Sequence, residues 1–181
     1  SYTCNQFSLS SERPMIGFCP GAEFGPAKRW PHYHYAELAK QLIDEGYQVV
    51  LFGSAKDHEA GNEILAALNT EQQAWCRNLA GETQLDQAVI LIAACKAIVT
   101  NDSGLMHVAA ALNRPLVALY GPSSPDFTPP LSHKARVIRL ITGYHKVRKG
   151  DAAEGYHQSL IDITPQRVLE ELNALLLQEE A

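Results

Sequence analysis

The clearest sign of the fold lies at residues 97–107, Ala97-Ile98-Val99-Thr100-Asn101-Asp102-Ser103-Gly104-Leu105-Met106-His107. Residues 97–100 are apolar or neutral and predict a short buried strand. Asp102 and Ser103 follow at once and predict the beginning of a helix that ends near Leu112, because Asp and Ser are favoured N-cap residues. A buried strand that passes directly into a helix is typical of α/β proteins.

The same alternation continues on both sides of this stretch. Apolar runs predict strands at 15–19, 47–52, 97–100 and 115–120, with weaker candidates at 78–81 and 136–140. Apolar residues at helical spacing predict helices at 31–45, 57–68, 85–92, 102–112 and 165–177. Thr164 and Pro165 suit the N-cap and first position of the last helix. Strands that are apolar throughout indicate a parallel sheet covered by helices on both faces, so the predicted fold class is α/β. Segments 123–132 and 143–159 are expected to be irregular loops.

Composition narrows the class of protein. The chain has 181 residues, 46% of them hydrophobic, and a formal net charge of −5, which suits one globular domain. Because no block of Lys and Arg stands out, we expect no nucleic-acid surface. The sequence contains neither a secretory signal nor an apolar run long enough to cross a bilayer. The polar residues 1–13 are interpreted as an interdomain linker, with a domain at 14–181 and a further segment expected before Ser1.

Cysteine and histidine patterns do not indicate a metal centre. None of the cysteines lies in a C-x-x-C pair, and reduced structural thiols are favoured for all of them: Cys4, Cys19, Cys76 and Cys95. His32 and His34 are two residues apart at the start of a predicted helix, where they would point to different faces. We therefore predict no metal site and no cofactor.

Ligands of open α/β sheets bind beyond the carboxyl ends of the strands. The loop at 21–30 contains Gly21 and Ala22 after a strand and then the cations Lys28 and Arg29. Free backbone N–H groups together with Lys28 suit a phosphate site, but an ordinary βα loop with surface cations fits the pattern equally well. Neither a Walker motif nor G-x-G-x-x-G occurs, which disfavours dinucleotide binding of the usual kind.

A second loop joins the strand at 97–100 to the next helix. Asp102 or Ser103 either caps that helix or faces a ligand. A cap alone does not require Gly104, because glycine lowers helix stability relative to alanine. Glycine lets a ligand approach closely, so the N–H groups of Ser103 and Gly104 are candidates for a diphosphate. His107, four residues after Ser103, donates either to that phosphate or within the core. The helix end stabilises ionised Asp102, which makes it a weak base and favours a role in binding sugar hydroxyls.

Two further loops reach the same edge of the sheet. Gly121-Pro122-Ser123-Ser124-Pro125 follows the strand at 115–120 and forms either a wall of the cleft or a rigid turn, with the turn slightly favoured. Gly53-Ser54-Ala55-Lys56-Asp57 follows the strand at 47–52 and is a candidate for contacting a nucleoside. Asp57 then binds a ribose or base, although its alternative as a helix N-cap is somewhat favoured.

These residues resemble the lipopolysaccharide heptosyltransferase family. The resemblance rests on the pattern D-[ST]-G-x-x-H-[LV]-A-A-A-L, present at 102–112, followed by a strand and by Y-G-P at 120–122. The loop at 20–31, Pro-Gly-Ala-Glu-Phe-Gly-Pro-Ala-Lys-Arg-Trp-Pro, also matches and is most similar to the members that add the second heptose of the inner core. Together the matches span most of the chain.

The resemblance implies a GT-B architecture, in which two Rossmann-like domains face each other across a cleft. This chain is similar to the C-terminal half, which holds the donor ADP-heptose. The implied reaction is an inverting transfer of heptose to the lipopolysaccharide inner core, with heptosyl-Kdo-lipid A as the acceptor. The N-terminal acceptor domain of the same protein is then expected to hold the acceptor and the general base.

The same resemblance implies roles for individual residues. Lys28 is expected at the diphosphate and Asp102 at the heptose, so that these two serve the catalytic step. Ser103 and Gly104 are expected at the phosphates, and His107 belongs to the same motif. Such an enzyme acts in the cytoplasm, at the inner face of the inner membrane, which is compatible with peripheral membrane contact.

Two other classes of function fit the same residues. One is a nucleotide-sugar epimerase or another GT-B transferase, which would share the half-fold and use a different sugar. The other is a free-standing nucleotide-binding module without chemistry. Selectivity between ADP and UDP ligands separates the first from a heptosyltransferase, and transfer activity after addition of an N-terminal half excludes the second.

Overall fold

A computed structural model describes residues 2–22, 25–122, 129–130, 132–141 and 154–180. The strands in these residues are β1 Met15–Cys19, β2 Gln48–Leu51, β3 Cys76–Asn78, β4 Ala97–Asn101, β5 Leu116–Tyr120 and β6 Ala135–Arg139. They form one sheet in the order β3-β2-β1-β4-β5-β6, and every neighbouring pair is parallel. The predicted α/β class with a parallel sheet is therefore confirmed.

Helices cover both faces of this sheet. They are α1 Tyr2–Gln6, α2 His32–Asp44, α3 His58–Ala66, α4 Thr70–Gln73, α5 Leu85–Ala94, α6 Gly104–Ala111, α7 Gln158–Ile161 and α8 Pro165–Glu180. Helices α2, α3 and α8 cover one face, and α1, α5 and α6 cover the other. Each face of the sheet packs against its helices in a separate hydrophobic core. In β1, Ile16 and Phe18 point to the face of α2, and Met15 and Cys19 point to the face of α5, because successive strand side chains point to opposite faces. In the part of the chain that the structure describes, no helix is both long and apolar enough to cross a membrane.

Local sequence explains where two of the helices begin or end. Gly46 follows α2 with a φ of 105°, the left-handed backbone that glycine adopts without strain and that commonly ends helices. At the start of α8, the hydroxyl of Thr164 accepts a hydrogen bond of 3.2 Å from the backbone N–H of Arg167. The predicted cap of the last helix is therefore confirmed.

Some local predictions are wrong. The strand expected at 78–81 lies at Cys76–Asn78, where only Cys76 is buried, so its apolar signal is weak. Residues 1–13 were expected to be polar chain without regular structure, but 2–6 form a helix and Leu9 is 5% exposed in the core. Their assignment as an interdomain linker remains a prediction. Helix α7 begins inside the segment predicted as irregular, and most of the other expected loop, 123–132, lies outside the described residues.

The order of the strands reverses between β1 and β4. The chain moves outward from β1 to β3 and then returns to begin β4 on the other side of β1. Cys19 pairs with Thr100, so the carboxyl ends of the two strands lie side by side. At such a point the following loops turn to opposite faces of the sheet and leave a crevice, which is where α/β proteins bind ligands.

Candidate functional site

A cleft of about 600 Å³ opens at this reversal point, within the size range of small-molecule sites. Loops after β1, β2 and β4 and the first turns of α5 and α6 form its walls. The described residues that line it are Cys19, Gly21, Ala22, Lys28, Phe52, Gly53, Ser54, Lys56, Asp57, Leu85, Asp102, Ser103, Gly104, Leu105, His107 and Val108. The structure thus brings together every residue predicted for the site except Arg29 and Gly121.

The N-terminus of α6 opens into the cleft without a side-chain cap. Ser103 is the N-cap residue and has extended backbone, but its hydroxyl makes no hydrogen bond to the first turn. That hydroxyl lies 3.4 Å from Oγ1 of Thr100 instead. Gly104 is exposed, and a Cβ built on it would meet nothing within 4 Å. The first-turn N–H groups and the positive end of the helix dipole are therefore left for an anion.

Lys28 reaches the cleft from the loop after β1. It ends a single turn of 3-10 helix, Pro26–Lys28, whose middle residue Ala27 is buried. Trp30 anchors the chain just beyond, because its buried ring Nε1 donates a hydrogen bond of 2.8 Å to the carbonyl oxygen of Ile163. Lys28 is half-buried at the cleft, which favours the phosphate interpretation of this loop over a surface cation.

Asp57 is buried where the loop after β2 meets the loop after β1. Its Oδ2 accepts hydrogen bonds from the backbone N–H and the hydroxyl of Ser54, at 2.9 and 3.1 Å. Asp57 holds the N-cap position of α3, as predicted, but its carboxylate binds back to Ser54 and not to the first turn of α3. A Cβ on Gly21 would lie 2.4 Å from this carboxylate, so only glycine permits the two loops to approach this closely.

The other carboxylate oxygen of Asp57 is unsatisfied. Within the described residues, buried Oδ1 of Asp57 and buried Nε of Arg29 have no hydrogen-bond partner. Nη2 of Arg29 is 3.9 Å from Oδ1, which is an ion-pair distance but too long for a hydrogen bond. Leaving a buried polar atom unpaired costs free energy, so Oδ1 is an acceptor that a ligand hydroxyl can satisfy.

An apolar wall completes the cleft, and the sequence analysis missed it. Phe52, directly after β2, is buried, and Leu85 at the start of α5 is 69% exposed. Leu105 and Val108 stand three residues apart on α6 and line the same space. Their spacing on a helix that begins at the cleft is the signal that could have identified them.

The remaining predicted residues have clear positions. His107 is exposed at the cleft, so its alternative as a hydrogen-bonding group within the core is wrong. Arg29 faces an adjoining crevice that it shares with Glu63 and Tyr156. Gly121 packs beneath α7, since a Cβ there would lie 2.7 Å from Cγ of Leu160. Of the loop that Gly121 begins, positions 123–125 lie outside the described residues.

Cys19 lies at the floor of the cleft but is not a nucleophile at neutral pH. Burial raises the pKa of its thiol to about 12, although a hydrogen bond with Thr100 partly offsets this. A thiol with that pKa is almost entirely protonated near pH 7 and reacts slowly. All four cysteines lie in the described residues, and no disulfide joins any two of them.

Comparison with known proteins identifies the family. The model of glycosyltransferase family 9 (heptosyltransferase) matches residues 1–157, which include the whole cleft lining. The chain belongs to this family. This match confirms the resemblance to heptosyltransferases that the segments at 102–112 and 20–31 indicated.

Individual proteins that are similar to this chain are also heptosyltransferases. Lipopolysaccharide heptosyltransferase 2 of Salmonella typhimurium is 92% identical over 179 residues, which are 99% of this chain and 51% of the relative. Lipooligosaccharide heptosyltransferase 2 of Haemophilus influenzae is 69% identical over 172 residues, 94% of this chain and 50% of the relative. The solved E. coli ADP-heptose lps heptosyltransferase II is 94% identical, with a TM-score of 0.93 over 99% of this chain and 51% of that one. The chain therefore spans about half the length of the relatives that it matches.

Proposed function

We propose that this chain is the C-terminal, donor-binding half of a GT-B enzyme that transfers heptose from ADP-heptose to the inner core of lipopolysaccharide. One observation carries the proposal: Lys28, Asp102 and the uncapped N-terminus of α6 line a single cleft at the reversal point of the sheet. The name of the solved relative at 94% identity, ADP-heptose lps heptosyltransferase II, supports this donor.

The diphosphate of the donor is assigned to the two positive features of the cleft. The backbone N–H groups of Ser103 and Gly104 lie at the positive end of the α6 dipole, which has no side-chain cap and suits an anion. Lys28 adds a full positive charge from the loop after β1. The heptose then lies toward Asp102, whose carboxylate accepts hydrogen bonds from sugar hydroxyls. His107, exposed at the cleft on the same helix, donates to the diphosphate.

The nucleoside is assigned to the part of the cleft that Asp57 and the apolar side chains line. Oδ1 of Asp57 is a buried acceptor without a hydrogen-bond partner in the described residues, and a ribose hydroxyl is a donor of the right kind. Leu85, Leu105 and Val108 offer an apolar surface against which a flat adenine ring can pack. Burial of Leu85 by the base removes the exposure of this large side chain.

The transfer follows from this placement. A hydroxyl of the acceptor attacks the anomeric carbon of the heptose as the bond from that carbon to the β-phosphate oxygen breaks, and ADP leaves with the electron pair. Lys28 and the α6 dipole stabilise the charge that grows on this leaving phosphate, which lowers the barrier most when the groups are already in place. The proton of the acceptor hydroxyl passes to a base in the N-terminal half, which also holds heptosyl-Kdo-lipid A. The enzyme then works in the cytoplasm at the inner face of the inner membrane.

Calorimetric titration of the chain tests the proposal. ADP and ADP-heptose should bind, whereas UDP and UDP-sugars should bind much more weakly. Absence of binding by any ADP ligand contradicts the proposal, and selectivity for UDP favours an epimerase or another GT-B transferase. Transfer of heptose after addition of an N-terminal half excludes a nucleotide-binding module without chemistry.

A matched pair of lysine variants tests the assigned phosphate contact. Lys28→Ala should reduce ADP affinity by about 1.5–3 kcal/mol, the usual contribution of a hydrogen bond to a charged group. Lys40→Ala removes the same charge from α2, where Lys40 pairs with Glu37 at 3.8 Å, and should leave ADP affinity unchanged. Equal ADP affinity in Lys28→Ala and the unmodified chain would show that Lys28 does not contact the diphosphate.

A further inference from the structure

Asn101 lies fully buried beneath the cleft, directly before Asp102. Its Nδ2 donates hydrogen bonds to the carbonyl oxygens of Pro20 and Gly21, at 2.7 and 3.3 Å. Its Oδ1 accepts from the backbone N–H of Trp30 at 3.0 Å and from the hydroxyl of Tyr35 at 2.9 Å. A carboxamide has two donor hydrogens and two acceptor positions, so all four are used.

The four partners fix the orientation of this side chain. Two carbonyl oxygens can only accept a hydrogen bond, and the N–H of Trp30 can only donate one, so the amide cannot be turned over without losing three bonds. A carboxylate at position 101 would place oxygen against both carbonyls, and an apolar side chain would leave all four buried groups unpaired. The site therefore specifies asparagine chemically as well as sterically.

The same bonds connect the two sides of the cleft. Pro20 and Gly21 begin the loop that carries Lys28, and Trp30 follows Lys28 by two residues, so Asn101 holds this loop on both sides of the lysine. On its own strand, Asn101 is followed at once by Asp102 and the N-terminus of α6. One buried carboxamide thus sets the position of the Lys28 loop relative to the residues that face it.

We propose that Asn101 is a positioning residue of the nucleotide-sugar site, which holds Lys28 at the correct distance from the N-terminus of α6 for both to reach one diphosphate. This inference rests on the proposed function. Asn101 touches no ligand itself and acts through the Lys28 loop. Its removal changes the placement of Lys28, and a misplacement of about 1 Å at such a site can cost on the order of a hundredfold.

A double-mutant cycle on ADP affinity tests the proposal. Asn101→Ala should weaken ADP binding by about tenfold or more. Lys28→Ala should cost about tenfold to a hundredfold in the unmodified chain, but less than about threefold in the Asn101→Ala background, because the lysine no longer reaches the phosphate there. A purely structural role lowers stability without changing this dependence on Lys28.

Tyr35→Phe is the matched control. It removes the bond to α2 and leaves the three bonds to the loop, so it should lower stability while changing ADP affinity by less than about twofold. If Asn101→Ala yields little folded protein, the cycle is run on Asn101→Ser, whose hydroxyl can still bond one partner. Additive effects of the Asn101 and Lys28 changes, or unchanged affinity in either Asn101 variant, would overturn the inference and leave the proposed function intact. Failure of the unmodified chain to bind ADP would overturn both.

Discussion

Replacing Gly104 by alanine should raise the stability of the chain and lower its affinity for ADP. Gly104 is the first residue of α6, its φ lies outside the left-handed region, and a Cβ there would meet nothing within 4 Å. Because alanine loses less backbone entropy than glycine on folding, we expect a gain of about 0.5–1 kcal/mol. For a chain of this size that corresponds to a rise of about 1–4 °C in melting temperature.

The loss of affinity has a separate physical origin. The new methyl group projects into the open space at the N-terminus of α6, where the phosphate must approach the backbone N–H of Gly104. Loss of one hydrogen bond to a charged phosphate should cost about 1.5–3 kcal/mol of ADP binding. Thermal unfolding without ligand measures the first effect, and calorimetric titration with ADP measures the second.

Adenosine provides the control ligand, because it has the nucleoside and lacks the diphosphate. Its affinity should be the same for Gly104→Ala and the unmodified chain. A stabilised variant that binds ADP as tightly as before would refute the assignment of phosphate to α6. An equal loss for adenosine and ADP would show that the methyl group obstructs the whole cleft and does not act at the phosphate.

Three further outcomes are expected. Burial lowers the pKa of His34 below 6.5, so the folded state disfavours its protonation, and stability should be lost as pH falls from about 6.5 through the folded pKa. His34→Gln should flatten that part of the pH profile in urea unfolding, and an unchanged slope contradicts the assignment. Trp30→Phe should cost about 1–3 kcal/mol of unfolding free energy, because the carbonyl of Ile163 loses its 2.8 Å donor; a cost below about 0.5 kcal/mol would show that water replaces it. Cys19 should resist alkylation near pH 7 in the folded chain until denaturant is added, and rapid labelling without denaturant is the opposing result.

The apolar strands and long helices were predictable because hydrophobic periodicity determines them directly. The strand at 97–100 was located within one residue and the helix after it within two, since both carry strong apolar patterns and are flanked by turn and cap residues. The single turns α4 and α7 are too short to show a helical period, and β3 is a three-residue strand at the edge of the sheet. Their positions depend on tertiary contacts that no local pattern records.

The candidate site was predictable where its residues follow strands. Lys28, Asp102 and Gly104 come after β1 and β4, and parallel topology brings such loops together at one edge. Leu85 begins a helix far along the chain, so only the folded sheet places it at the cleft. The role of Asn101 was likewise hidden, because its four partners are distributed over separate elements and become neighbours only after folding.

We propose above that this cleft holds a nucleotide sugar with its phosphates at α6 and its sugar at Asp102. The most direct test compares ADP and ADP-heptose binding to Asp102→Ala, with Asp44→Ala as the control that removes the same charge from an exposed position at the end of α2. We predict that Asp102→Ala weakens ADP-heptose by about tenfold or more, as expected for lost hydrogen bonds to a carboxylate, and ADP by less than about threefold. Equal losses for the two ligands would contradict the claim, because they would place Asp102 at the helix end and not at the sugar.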